Sequence, residues 1–151
     1  MLKIANVAID GSNIAETTVS GYVSYDIYRW QNGDEFSSGY WYYSSSSTTG
    51  AKITGTVHST QKMKVNGKSV AVSGDITNET WVASPAIPGN TSTRRYEATS
   101  PTSGSGQGTI QGDNSKNVKV NGKLVAIVGS QVETCLGSTT TIQDGSSLIN
   151  L

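Results

Sequence analysis

The clearest hydrophobic pattern in the chain begins after residue 20, where apolar and polar side chains alternate. Through Tyr22–Trp30 the apolar residues recur at every second position, a period that predicts a half-buried β-strand. Asn32-Gly33 follows as a turn signal, and a second aromatic run occupies Tyr40–Tyr43. The two runs and the turn signal between them predict a β-hairpin over residues 22–43.

Two polar stretches of low complexity interrupt this pattern. Ser44–Gly50 consists of serine, threonine and glycine, and a longer stretch from Ser84 to Gly108 contains all three prolines of the chain. Such compositions are typical of loops and extended connectors. We therefore expect loops in both stretches, with the spaced glycines at 104, 106 and 108 acting as a flexible lead-in to a strand.

An internal repeat restricts the architecture more strongly than any single element. Met63–Gly74 and Val118–Gly129 are identical at eight of twelve positions, and the lead-in Gly55–His58 corresponds to Gly108–Gln111. A third, truncated copy begins at Thr140-Thr141-Ile142-Gln143 and runs to the C-terminus. The chain therefore contains two full copies and one partial copy of a single structural unit.

The sequence of each full copy predicts a tight β-hairpin. Alternating residues flank Asn66-Gly67 in the first copy and Asn121-Gly122 in the second, and Asn-Gly is the strongest signal for a two-residue type I′ turn. This turn would place Lys64 opposite Ser69 and Lys119 opposite Leu124. The residues expected to face inward are Val65, Val70, Val120, Val125, Ile110 and Ile142.

Composition supports an all-β fold of thin cross-section. The chain has 151 residues, of which 34% are hydrophobic, with 17 glycines, 22 serines and 18 threonines, a mixture that favours strands and turns over helices. One domain is the default for this length. Three similar β elements around a common axis would form a small cone or prism with a pseudo-threefold arrangement.

Charge and cysteine content exclude several function classes. Eleven basic and eleven acidic residues give a formal net charge of zero, which makes nucleic acid an unexpected partner. The longest aliphatic run, Leu124–Val128, is too short to cross a bilayer, and Lys3 and Asn6 interrupt any signal-peptide core. A single cysteine, Cys135, forms no intrachain disulfide.

These repeats resemble the PAAR-repeat and PAAR-like family. The resemblance rests on Gly108-Thr109-Ile110, the run from Val118 to Ala126, Gly129 and Cys135. Family members are small β cones that sit on a trimeric β-helical spike and sharpen the tip of contractile injection devices. Ser69–Val72 stands where the family has proline-alanine-alanine-arginine, which identifies a divergent member.

The resemblance implies a function and a domain division. Residues 55–151, with a loop at 81–107, would form the PAAR-like repeat domain, and residues 1–54 an N-terminal β extension of uncertain role. The protein would be a non-enzymatic spike tip, with one copy on each homotrimeric spike. It would contact the target envelope transiently while piercing it. We expect it to be made in the bacterial cytoplasm without a signal peptide and assembled into a phage tail, baseplate or injection particle.

The resemblance also raises the question of a metal. Family members often hold zinc near the apex with histidines and one cysteine, and Cys135 stands where that cysteine is expected. His58, the single histidine, occupies the repeat position of Gln111 and Gln143. Because four-coordinate zinc needs two more ligands, we expect no cofactor, with a zinc site at Cys135 and His58 as the alternative. A Cys135–His58 catalytic dyad is not expected, since no oxyanion motif accompanies it.

The aromatic residues of the N-terminal part supply an alternative function. Tyrosine and tryptophan rings cluster between Tyr22 and Tyr43, and exposed rings of this kind bind sugars or partner proteins. The alternative is therefore a carbohydrate-binding or adhesive β-domain of a phage or bacterial surface structure, in which Trp41→Ala would abolish glycan binding.

Overall fold

The computed structural model describes residues 6–111 and 117–150, with the side chains of residues 148–150 left out. Strands are the dominant secondary structure of the described residues, and no helix occurs among them. This confirms the prediction of an all-β protein. The physical basis is a sequence rich in threonine, valine and tyrosine, which pack well on a pleated surface.

The described strands follow one another from the N-terminal to the C-terminal part of the chain. They are β1 (Asn6–Val7), β2 (Thr17–Gln31), β3 (Tyr40–His58), β4 (Lys64–Val65), β5 (Lys68–Ser69), β6 (Ile76–Ser84), β7 (Arg94–Ala98), β8 (Ser103–Ile110), β9 (Lys119–Val120), β10 (Lys123–Leu124), β11 (Gln131–Glu133), β12 (Thr139–Thr141) and β13 (Ser146–Asn150). One sheet has the order β12-β11-β8-β6-β3-β2-β7, and β1–β13, β4–β5 and β9–β10 form separate pairs.

The chain divides into two compact units that interleave along the sequence. Unit 1 comprises the described residues of Met1–Thr17, Ile53–Thr80 and Ser105–Leu151, and unit 2 comprises Thr18–Lys52 and Trp81–Gly104. The strands β2, β3, β6 and β8 contribute residues to both. The units thus differ from the consecutive segments 1–54 and 55–151 expected from the sequence, because strand pairing joins residues far apart in the chain.

Both Asn-Gly pairs form the tight turns of two-stranded hairpins in unit 1. Asn66 and Gly67 have φ angles of 52° and 81°, and Asn121 and Gly122 have 53° and 80°, as a type I′ turn requires. Lys64 lies opposite Ser69 in the first hairpin, and Lys119 lies opposite Leu124 in the second. The register agrees with the one derived from the sequence.

The first turn yields a testable prediction. Gly67→Ala should lower the free energy of unfolding by about 1 kcal/mol, because the left-handed conformation penalises any Cβ although open space surrounds this position. Asn66→Gly is the matched control and should change stability by no more than about 0.5 kcal/mol. Urea unfolding of both variants measures this difference, and equal stabilities would contradict it.

Both polar stretches expected to be loops or extended connectors contain strand residues, although residues 85–93 and 99–102 of the second stretch lie outside strands. Ser44–Gly50 lies inside β3, and the expected loop 81–107 contains the end of β6, all of β7 and the start of β8. In unit 2, a Cβ added to Gly50 would lie 2.6 Å from the side chain of Thr18. A Cβ added to Gly104 would lie 2.7 Å from the ring of Trp81. The glycines therefore serve close packing within strands, and the loop prediction was wrong for these residues.

The connection between β2 and β3 is a loop, residues 32–39. Asn32 and Gly33 lack the positive φ angles of the other two Asn-Gly pairs. Asp34 orders this loop instead: its Oδ1 accepts hydrogen bonds from the N–H groups of Phe36 (2.8 Å) and Ser37 (2.9 Å). These bonds, first that from Phe36 and then those from Ser37, hold the pKa of Asp34 below its usual range. Residues 22–43 thus contain two neighbouring strands joined by a polar loop.

Candidate functional site

Three segments of unit 1 have the same local structure. Residues 6–12, 69–75 and 124–130 each contain a glycine of positive φ, at Gly11 (90°), Gly74 (92°) and Gly129 (96°). The residue after each glycine is Ser12, Asp75 or Ser130, and its side-chain oxygen accepts a hydrogen bond of 2.9–3.0 Å from the N–H group three residues earlier. Each segment therefore turns in the same way, which only glycine permits without strain.

A closed ring of three backbone hydrogen bonds joins these segments. The N–H of Ala8 donates to the oxygen of Ala126, the N–H of Ala126 to Ala71, and the N–H of Ala71 to Ala8, each at 2.9 Å. All three alanines are fully buried. The three segments can meet so closely because each contributes only a methyl group at the meeting point.

A second set of bonds joins each segment to a neighbouring strand. The N–H groups of Gly11, Gly74 and Gly129 donate to the carbonyl oxygens of Val57, Ile110 and Ile142 at 2.8–2.9 Å. The N–H groups of those aliphatic residues donate in return to Ser12, Asp75 and Ser130. The residues that follow are His58, Gln111 and Gln143, the three positions matched in the sequence repeat.

The six expected inward-facing residues fall into two hydrophobic clusters. Ile110 and Ile142 are 1% exposed and pack with Ala8, Ala71 and Ala126. Val65, Val70 and Val125 belong to a second buried cluster with Val7 and Val72. Val120 is partly buried and packs against this second cluster.

One of the three segments was missed in the sequence. Residues 6–12 are far from the repeats in the chain, but β1 pairs with β13 as β4 pairs with β5. The truncated copy at Thr140–Asn150 is thus completed by the N-terminal segment. A weak signal was present, since Ala-aliphatic-x-Gly followed by Ser or Asp occurs at Ala8, Ala71 and Ala126.

The two candidate metal ligands have different neighbours. His58 Nδ1 lies 3.6 Å from Asp10 Oδ1, and both side chains are about half exposed. The backbone N–H of Cys135 donates to Glu79 Oε1 at 2.8 Å, and its side chain lies against Gly106. Among the described residues, no three His, Cys, Asp or Glu side chains lie together as a metal site would require.

Glu79 is a buried carboxylate that the sequence analysis did not single out. Its side chain is 2% exposed and accepts hydrogen bonds from the hydroxyl group of Thr77 and the N–H of Cys135. Gly55 and Gly108 leave the space that it fills, since a Cβ at either glycine would collide with Glu79. Burial of a carboxyl group is tolerated only with such partners.

The thiol of Cys135 gives a second prediction. Burial, a hydrogen bond with Glu79 and the charge of Glu79 raise its pKa from 9.0 to about 11. Because only the thiolate is nucleophilic, alkylation at about pH 8 should be about 100-fold slower in the folded than in the unfolded chain. Iodoacetamide labelling with mass spectrometry measures this ratio, and equal rates would contradict the burial of the thiol.

The same pKa shift predicts how stability depends on pH. The folded chain retains the thiol proton to a higher pH than the unfolded chain, so the stabilising contribution is complete below pH 9.0 and is lost as the pH rises to about 11. Cys135→Ser should remove this dependence, which urea unfolding over the same pH range can measure. An identical loss in Cys135→Ser would assign it to other groups.

Aromatic rings in unit 2 contact one another in pairs. Trp30 and Trp41 meet edge to face at 5.3 Å, and Tyr28 and Tyr43 do so at 6.0 Å. The guanidinium of Arg95 lies 4.5 Å from the centre of the Trp41 ring, within the range of a cation–π contact. The ring of Trp41, the expected sugar platform of the alternative function, is thus already in contact with Trp30 and Arg95.

No family model, no curated protein and no solved structure matches this chain. The described residues include no helix of the length and apolar character needed to span a membrane.

Proposed function

We propose that this protein is a spike tip that caps and sharpens the trimeric central spike of a contractile injection device. The observation that carries this proposal is the closed ring of hydrogen bonds through Ala8, Ala71 and Ala126. A single chain that repeats one element three times about an axis has the symmetry needed to cap a homotrimer.

The pseudo-threefold arrangement is part of the proposal. It is supported by equivalent backbone bonds at Val57, Ile110 and Ile142 and by the equivalent turns at the three positive-φ glycines. The three strand pairs β13–β1, β4–β5 and β9–β10 supply one short ribbon for each element. In this arrangement the ribbons form the cone, and the strands that follow the glycines form the surface that meets the spike.

The proposed mechanism is mechanical. Contraction of a sheath would drive the tip through the target envelope, so the tip must resist deformation. It must do so although only 34% of its residues are hydrophobic. Backbone pairing satisfies the polar groups locally, and valines fill the narrow space between the ribbons: Val7, Val65, Val70, Val72 and Val125.

Reconstitution with a spike tests the proposal. The purified chain is mixed with trimeric β-helical spike proteins of contractile injection devices, and native mass spectrometry determines the stoichiometry. We expect one copy per trimer. Absence of a complex, or three copies per trimer, would contradict the proposal, because a chain with internal threefold repetition occupies the axis only once.

The proposal also predicts where the protein is found. Assembled phage tails, baseplates or injection particles purified from the producing bacterium should contain this chain at one third of the molar amount of the spike protein. Quantitative mass spectrometry of purified particles measures this ratio. A chain recovered only outside the particles would not be a spike tip.

A further inference from the structure

The strands β3, β2 and β7 are the last three strands of the seven-stranded sheet. Their residues in unit 2 form two faces that differ in charge. β2 and β7 pair antiparallel with Tyr28 opposite Arg95 and Arg29 opposite Arg94, and residues opposite one another share a face. The tryptophan face carries Asp26, Tyr28, Trp30, Trp41, Tyr43, Arg95 and Glu97. The arginine face carries Tyr25, Ile27, Arg29, Tyr40, Tyr42, Arg94 and Tyr96.

The arginine face holds two like charges in direct opposition. Arg29 and Arg94 are cross-strand partners, and both are exposed. Like charges at such positions destabilise a sheet, yet no carboxylate forms an ion pair with either arginine in the part of the chain that the structure describes. The face positions named above include no aspartate or glutamate. An anionic ligand would remove this repulsion.

Four tyrosines share this face with the two arginines: Tyr25, Tyr40, Tyr42 and Tyr96. Tyr40 is 59% exposed and Tyr42 is 40% exposed, and their rings lie 6.3 Å apart. Tyr25 and Tyr96 meet edge to face at 6.2 Å. Each ring offers an apolar surface and a hydroxyl group, the combination that suits the faces and hydroxyl groups of a sugar ring.

We propose that the arginine face binds an acidic polysaccharide, with sugar carboxylates on Arg29 and Arg94 and sugar rings on Tyr40 and Tyr42. A guanidinium matches a carboxylate through two parallel hydrogen bonds. A polymer is favoured over a single sugar because the face is open and a repeating charge engages both arginines. This inference concerns unit 2 and does not depend on the spike-tip proposal.

The tryptophan face is a natural internal control. It has a similar number of rings, but Asp26 lies opposite Glu97, and Arg95 is already engaged with the ring of Trp41. Two carboxylates and one occupied guanidinium would repel an anionic polymer. The inference therefore assigns binding to one of two aromatic faces of the same sheet.

The test measures binding of the full chain to defined polymers by calorimetry. Polygalacturonate, alginate and polysialic acid are the acidic probes, and fully methyl-esterified pectin is a neutral match for the first. We expect at least one acidic probe to bind and its affinity to fall with added salt. Arg29→Gln and Arg94→Gln should each weaken binding about tenfold, whereas Arg95→Gln should leave it within about twofold.

Several results would overturn the inference. They are the failure of all three acidic probes to bind, equal binding of the methyl ester, and an equal loss in Arg95→Gln. Stronger binding of single-stranded DNA or polyphosphate than of any acidic glycan would assign the face to phosphate polymers instead. Far-UV circular dichroism of each variant shows whether it is folded, and Tyr42→Ala, which should weaken binding without changing charge, provides a second independent readout.

Discussion

Gly108→Ala is expected to lower the free energy of unfolding by about 3 kcal/mol, because the residues around Gly108 leave no space for an added methyl group. The added Cβ would lie 2.5 Å from the carbonyl oxygen of Glu133 and 2.5 Å from Thr77 Oγ1, and it would also collide with Glu79. A backbone carbonyl on a neighbouring strand cannot move aside without disrupting the sheet. Thermal and urea unfolding monitored by circular dichroism measure the loss.

The matched control for this substitution is Gly89→Ala. Gly89 has no neighbouring atom within 4 Å of an added Cβ, and its φ angle is not positive, so the change in stability should stay within about 0.5 kcal/mol. If Gly108→Ala proves as stable as Gly89→Ala, the close approach of β8 to Glu79 is not present in solution.

Glu79→Ala is expected to cost about 3 kcal/mol of stability. The substitution removes the acceptor of the Cys135 N–H and of the Thr77 hydroxyl group, and it leaves a cavity among buried residues. Glu79→Gln keeps an acceptor and most of the volume, so its effect should be smaller by at least about 1 kcal/mol. Urea unfolding near neutral pH ranks the two variants against the natural chain.

Glu133→Ala supplies the control for Glu79. Glu133 is exposed and accepts a side-chain hydrogen bond from Gln111 at 3.2 Å, a contact that contributes little in water. Its loss should change stability by no more than about 0.5 kcal/mol. Equal effects at Glu79 and Glu133 would show that the carboxyl group of Glu79 is not buried as described.

The local elements were predictable because their signals lie within a few residues of one another. Asn66-Gly67 and Asn121-Gly122 determine both the turn conformation and the register of their hairpins, since no other residues accept two successive positive φ angles as readily. The alternation around Tyr25 likewise predicted a strand. In each case the decisive interaction is between chain neighbours.

The sequence was misleading where tertiary contacts override composition. Ser44–Gly50 resembles a loop, but neighbouring strands satisfy its backbone and make it part of β3. The glycines at 104, 106 and 108 resemble a flexible linker, but they lie close to the side chains of Trp81, Cys135 and Glu79, respectively. Composition does not show whether a glycine is present for flexibility or for close approach.

The candidate sites were predictable only in part. The aromatic cluster was apparent from the sequence, but its division into a tryptophan face and an arginine face depends on the pairing of β2 with β7. The burial of Glu79 was not predicted, because its neighbours in the chain form no pattern that indicates it. In the structure, Glu79 lies beside Cys135. The sequence had instead suggested His58 as the residue that would share a zinc site with Cys135.

The sequence by itself determined the all-β class, the two Asn-Gly hairpins and their register, because these follow from alternation and turn chemistry over short distances. Only the tertiary structure decided which segments meet at the alanine ring, how the chain divides into two units and which carboxylate is buried. Those features depend on contacts between residues far apart in the chain, such as the hydrogen bond from the N–H of Ala8 to the carbonyl oxygen of Ala126. The shared Ala-aliphatic-x-Gly pattern marks the three segments but not which of them bond to one another, because burial of the whole core selects those contacts.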